Sequence, residues 1–241
     1  MLSFIYSSVK PCFKSISNTK LYSLSTAIAC VALGTRSCHL VDISSLDYSQ
    51  AKVLLSKLKQ HLKLTLDSNP WIYIAVQGKE PERREAPKHL ITWLEQCLVP
   101  FLKSEQDIYY SDHVFTFMVC LTGWCLEYPI IYTTHSESDG LQDEIDEWEE
   151  PKPNCLGCRP LTLIQVWLND VRLLDERQSQ YNLLSFSYPT LSLNLDEQTK
   201  LERELKLRMD KRLVNNDRHH WIKKGQCEIR REQINLERFA L

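Results

Sequence analysis

Apolar and polar positions alternate along the chain in two rhythms. Short apolar runs have strand length, and longer stretches repeat their apolar residues every three or four positions, which is helical spacing. The uncharged run over residues 21–35 predicts a buried first helix stopped at Gly34. "SCHLVDIS" (37–44) reads as a short strand ending at Asp42. Ala51, Leu54, Leu55, Leu58 and Leu62 then keep helical spacing, and Asp47 with Gln50 forms a capping box at that helix's start. "NPWIYIAVQG" (69–78) is a second strand, closed by Gly78.

The next helix, over 86–102, places Pro87 at its first position and Leu90, Leu94, Cys97, Leu98 and Phe101 along one side. Pro100 ends or kinks it. A helix over 111–123, capped by Ser111 or Asp112 and stopped at Gly123, is apolar nearly all round and is expected to be buried. "YPIIYTT" (128–134) is a third strand, and "LTLIQVWL" and "YNLLSFSYPTLSL" add two more. A charged helix follows, with Asn194 and Glu197 at its N-cap and Leu201, Leu205, Met209 and Leu213 as a narrow apolar stripe. The tail from Asn215 reads as a hairpin or a docked arm.

Strand–helix alternation over the first 135 residues argues for an α/β layered domain. It predicts a mainly parallel mixed sheet flanked by helices, with antiparallel additions in the C-terminal half. No Pro/Gly-rich linker divides the chain, so a single domain over 1–241 is expected. Residues 136–154 are an acidic, flexible loop insertion in that reading, and 1–20 an N-terminal stretch open to disorder.

Composition narrows the classes further. Of 241 residues, 43% are hydrophobic, enough for one sizeable core, and the net charge of −2 gives no broad basic surface for nucleic acid. Nine cysteines at irregular spacing, several inside apolar runs, suit a reducing compartment, cytoplasmic or nuclear. The N-terminus holds Lys10, Lys14, Lys20 and Arg36 with no acid before Asp42, which keeps a mitochondrial presequence as an alternative. The run 21–35 is shorter than the roughly 20 apolar residues a membrane span needs. No membrane partner is expected.

Candidate chemistry is sparse. Ligands in open α/β sheets gather beyond the carboxyl ends of strands, where Asp42, Thr134 and His135 stand. Asp42 could hold a metal or act as a base, and His135 as acid or base; the competing reading is a turn cap and a loop residue. Nucleotide-binding, P-loop, nucleophile-elbow and zincin signatures are missing, so no cofactor is expected. Cys155 and Cys158 make the chain's Cys-x-x-Cys pair. A structural zinc site wants a second knuckle or paired histidines, so the competing reading is a turn centred on Gly157. The better interaction candidate is residues 137–150, with eight acids and no base. There Asp143, Glu144, Ile145, Asp146, Glu147 and Trp148 set two apolar anchors among charges, suited to a protein partner with a basic-rimmed groove. A solvated loop is the alternative.

"LSTAIACVALGTRSCHLVDI", "GWCLEYPIIYTT" and "NCLGCRPLTLIQVWL" together resemble an uncharacterised vertebrate open-reading-frame family. Its pattern has an early strand ending in Asp, a Gly-Trp helix end before a Pro-containing strand, and Asn-Cys-Leu opening a later strand. Cys158 departs from that pattern, which weakens a required Cys pair. The resemblance implies no mechanism and favours 21–35 as part of the folded domain. The readings that follow are an interaction or adaptor domain using the acidic loop, a small-ligand binder or hydrolase-like enzyme at the strand ends, and a zinc-binding structural protein.

Overall fold

A computed structural model describes residues 2–13, 15–36, 38–41, 47–58, 72–76, 80–104, 106, 108–111, 115–134, 155–169, 180–217 and 226–236. Helix α1 (Leu2–Val9) precedes α2 (Asn18–Ala32), and α3 (Tyr48–Leu58) packs against both. Ile5, Val9, Phe13, Leu21, Leu24 and Ile28 meet Leu54 and Leu58 in one buried cluster. The N-terminal stretch that composition leaves open to disorder thus contributes a helix to a core.

α2 ends as its sequence predicts. Gly34 takes a φ of 68°, Gly34 N–H bonds Val31 C=O, and Thr35 N–H reaches back to Cys30 C=O. This is a Schellman motif with glycine at the left-handed position, where a Cβ would be penalised. The capping box opening α3 is also present: Gln50 N–H donates to Asp47 Oδ1 at 2.7 Å and Asp47 N–H to Gln50 Oε1 at 3.1 Å. The strand expected over 37–44 is not found at its described residues, for Cys38–Val41 pair with no strand. Four residues with Leu40 half exposed cannot supply an inward face.

The fold is mixed α/β, with two three-stranded sheets among the described residues rather than one mainly parallel sheet. The first runs β2 (Glu82–Arg84), β1 (Ile72–Ala75), β3 (Ile130–Thr133), with β1 antiparallel to β2 and parallel to β3. β1 and β3 bury residues on both faces, whereas the edge strand β2 is exposed. Ile74 and Ile130 point into the large core, while Tyr73 and Ile131 point at the helices of the opposite side.

Those helices are α4 (Lys88–Trp93), α5 (Val99–Lys103) and α6 (Met118–Cys125). Between α4 and α5, Leu94–Leu98 forms a π-turn in which Val99 N–H bonds Leu94 C=O. Pro100 explains it, since a ring with no N–H crowds the preceding turn and the widened turn accommodates it without breaking the helix. α6 differs from expectation at both ends. It begins at Met118, and it runs through Gly123 instead of stopping there. Gly123 serves packing: a Cβ added there would lie 3.2 Å from Cγ2 of Ile131, which is fully buried on β3. Gly123→Val is therefore expected to cost about 1–3 kcal/mol through overpacking, read as a lower urea midpoint with unchanged slope.

The second sheet is antiparallel, in the order β5 (Gln180–Pro189), β4 (Pro160–Asn169), β6 (Gln226–Asn235). Because β5 and β6 each run against β4, they are parallel to each other, and α7 (Leu195–Asp217) connects them. α7 has the expected capping box, with Glu197 N–H on Asn194 Oδ1 and Asn194 N–H on Glu197 Oε2. Its stripe Leu201, Leu205, Met209 and Leu213 packs against Ile164, Val166, Leu168 and Phe186 in the core that also takes Ile74, Val76 and Cys30. The tail read as a hairpin or arm is the ten-residue strand β6. Its polar side chains obscure it, since among its described side chains only Cys227 is buried, and Arg230 lies over the Trp167 ring at 4.9 Å on the open face. Among the described residues no helix is long and apolar enough to cross a membrane.

Candidate functional site

Two regions of the fold carry exposed or buried polar groups that the core does not explain. The first is where β3 ends. Val76, following β1, donates its N–H to Thr133 C=O at 3.0 Å and accepts at its own C=O from Cys155 N–H at 3.0 Å. Both ends of the excursion 135–154 therefore meet on one residue. Thr134 sits half-buried at the departure point, and Thr133 Oγ1 beside it is buried with no hydrogen-bond partner. Asp42 and His135 lie outside the described residues, as do Asp143, Glu144, Ile145, Asp146, Glu147 and Trp148.

The return point is the turn Cys155–Cys158. Leu156 is fully buried beneath it, and Cys158 N–H bonds Leu236 C=O at 2.8 Å beyond the end of β6. The turn expected around Gly157 is present at 155–158, and its left-handed residue is Cys158, with a φ of 58°. Cys155 is buried and Cys158 exposed. Burial raises the Cys155 thiol above its ordinary value, opposed by the Arg159 charge, and Arg159 pairs with Glu80. Among the described residues no third His, Cys, Asp or Glu joins these thiols in a metal-holding group.

The second region is a buried polar seam between α2, α6, β5 and α7. α6 ends in the same motif as α2, with Tyr128 N–H on Gly123 C=O and Glu127 N–H on Trp124 C=O. Here the left-handed residue is Glu127, at a φ of 55°. A glutamate is doubly disfavoured there: its Cβ strains the backbone, and its charge opposes the helix dipole. The compensation is tertiary. Glu127 Oε2 accepts from Arg212 Nη2 on α7 at 2.5 Å, with the two side chains only 7% and 12% exposed. Glu127 Oε1 is buried and has no hydrogen-bond partner among the described residues.

Thr35 and Arg36, directly behind the α2 terminus, complete the seam. Thr35 Oγ1–H donates to Cys30 C=O, and Arg36 lies against the Tyr181 hydroxyl and Cys30. Leu183, Leu184 and Met209 close the apolar side. The cavity between these atoms is about 10 Å³. That is room for about one water and too little for a metabolite.

Thiols surround the seam. Cys38 Sγ lies 2.8 Å from the C=O of Cys125, the last residue of α6. Burial pushes the Cys38 thiol up to about 12, helped by Cys125 and opposed by Arg36, and burial alone pushes Cys125 to about 11. Both are protonated at neutral pH, so neither is poised as a nucleophile or metal ligand. The seam's geometry suits joining elements rather than transforming a substrate.

Sequence reasoning missed Glu127 because it breaks the helix-end rules that reasoning relies on. Arg212 did leave a signal. At about 100° per residue it falls in the same sector as Leu201 and Leu205, inside the buried stripe.

No curated protein and no solved structure matches the chain. A family model does match, over residues 53–233, described as a domain of unknown function, DUF4504. Glu127, Arg212, Cys125 and the Cys155–Cys158 turn fall inside that span, whereas α1, α2, Arg36 and Cys38 precede it. With well over half of its length covered, the chain belongs to the DUF4504 family.

Proposed function

We propose that the chain is a single domain, 1–241, acting as a protein-interaction or adaptor module, with residues 137–150 as its partner-facing element. The observation that carries this reading is the double hydrogen bonding of Val76. A twenty-residue excursion holding eight acids, Ile145 and Trp148 leaves and rejoins the fold on one buried residue. Excursions longer than about 12–15 residues are uncommon in compact domains and are usually functional or disordered. Fixing Thr133 and Cys155, the flanks of the segment, on one buried residue sets where it is presented to a partner.

The partner fitting this chemistry is a protein groove with basic rims and apolar pockets for Ile145 and Trp148. Nine cysteines at irregular spacing, several of them inside apolar runs, favour a cytoplasmic or nuclear setting over an oxidising one. The acid-free N-terminus keeps mitochondrial residence as the alternative.

The test is Ile145→Ser with Trp148→Ser in the full chain, compared with wild type by cross-linking mass spectrometry in cells. Partners cross-linked through the segment should fall at least tenfold, while the melting temperature stays within about 2 °C, as this reading requires of partner-facing side chains. An unchanged partner set at unchanged stability would sink the proposal.

A further inference from the structure

The chain's Cys-x-x-Cys motif draws attention as a redox pair, yet its two thiols occupy different environments, one buried and one exposed. Cys38 and Cys125 are better placed. They lie 87 positions apart in sequence, one on the segment behind α2 and the other at the last position of α6. The Cys38 sulfur touches the Cys125 carbonyl oxygen at 2.8 Å, so the two residues meet side chain to backbone. Each is half-buried, which leaves a path for a small reagent. A charge on Cys125 is the second cause, after burial, that raises the Cys38 thiol, which fits two sulfurs near one another. A disulfide needs Cα atoms about 4.4–6.8 Å apart, a span compatible with a sulfur of one residue on the carbonyl of the other.

We propose that Cys38 and Cys125 are a disulfide-forming pair, closed by a small-molecule disulfide such as oxidised glutathione. One thiol loses its proton, and its sulfur attacks the glutathione disulfide. The S–S bond breaks, one glutathione leaves as thiolate, and a protein–glutathione mixed disulfide remains. The second thiol loses its proton, its sulfur attacks the protein sulfur of the mixed disulfide, and the second glutathione leaves. Two electrons pass to the oxidant, and the two protons released by the protein reappear on two molecules of glutathione.

The bond joins two parts of the chain that the family model separates, since Cys38 precedes residue 53 and Cys125 lies within the matched span. It fastens the N-terminal helices to the matched region beside Glu127 and Arg36. Because exchange proceeds through the thiolate and both thiols are raised, closure is slow at neutral pH and quickens with alkalinity. The pair thus stays reduced through brief oxidant exposure and closes on a sustained one.

The experiment treats the full chain with oxidised glutathione at pH 7, 8 and 9, quenches by alkylation, and maps disulfides by mass spectrometry. The expected product is one intramolecular Cys38–Cys125 cross-link, formed roughly tenfold faster per pH unit, with the melting temperature up by roughly 5–10 °C against the reduced protein. Cys38→Ser should leave Cys125 as a mixed disulfide with glutathione and abolish the shift. A Cys155–Cys158 cross-link in place of the expected one, or mixed disulfides alone in the wild-type chain, overturns the proposal. The wild-type mapping decides this even if the Cys38→Ser variant fails to fold.

Discussion

Arg212→Ala is expected to destabilise the protein by about 3–5 kcal/mol, a large share of the 5–15 kcal/mol that holds a typical domain together. The cause is the carboxylate left behind rather than the contact removed. Glu127 is 5% exposed, one of its oxygens has no hydrogen-bond partner among the described residues, and Arg212 supplies the hydrogen bond to the other. Truncating the guanidinium strands a charge in a seam with room for about one water. The pair's net worth is a different quantity, because burying both charges is itself costly. Glu127→Gly with Arg212→Met removes both and also relieves the left-handed backbone at residue 127. That double variant should recover most of the loss, giving a strongly non-additive cycle in urea denaturation. Equal losses for Arg212→Ala and for Glu127→Gly with Arg212→Ala, which removes the stem as well, would show that Arg212 acts through packing of its stem.

The same contrast explains which parts of the fold were legible in the sequence. Both capping boxes, Asp47–Gln50 and Asn194–Glu197, are local devices whose donors and acceptors lie three residues apart, so sequence alone reveals them. Gly34 and the Leu201–Leu213 stripe are likewise set by local conformation and period. Glu127 and Gly123 are not. Each holds its place because of a residue distant in sequence, Arg212 for one and Ile131 for the other, and each inverts the usual reading of its type. Gly123 resembles a stop signal and lies inside a helix, while Glu127 resembles a linker residue and occupies the cap. β6 was hidden for a related reason. Its charges are satisfied by neighbours in the sheet and on α7, with Glu228 held at about 2 by Arg230 and Asn169, and Arg231 paired with Glu202. Strand alternation is hard to see when both faces are polar. The parallel sheet was over-extended because strand–helix alternation carries no information on register, and only β1 and β3 pair that way among the described residues.

The candidate chemistry divides along the same line. The acidic segment 137–150 is a compositional feature and needs no fold to be noticed. Its attachment to Val76 depends on strand pairing and could not be read beforehand. The Cys38–Cys125 contact spans 87 positions and has no local signature at all.

A chain starting at Cys38, lacking α1 and α2, is expected to lose cooperative unfolding. The seven buried side chains that α1, α2 and their connection place in the cluster, Ala29 included, leave with them. What the remaining chain loses is cover. Leu54 and Leu58 on α3, at 6% and 4% exposure, face that cluster, and uncovering both costs about 3–6 kcal/mol at roughly 1.5–3 kcal/mol each. Cys30 also leaves the large core, opening a space beside Tyr181, and Arg36 no longer stands by Glu127 and Arg212. Against a total of about 5–15 kcal/mol, these losses leave a chain at or below the threshold of folding. Thermal melts by circular dichroism should broaden, and a dye that binds exposed apolar surface should brighten several-fold. This result would mean that α2 serves the fold of the matched region from outside its span, through Cys30, Arg36 and the cover over α3. A truncated chain melting as sharply and at the same temperature as the full one would instead make α1 and α2 a separable unit. It would also strengthen the presequence alternative that the acid-free N-terminus raises, because a removable segment must leave a stable remainder.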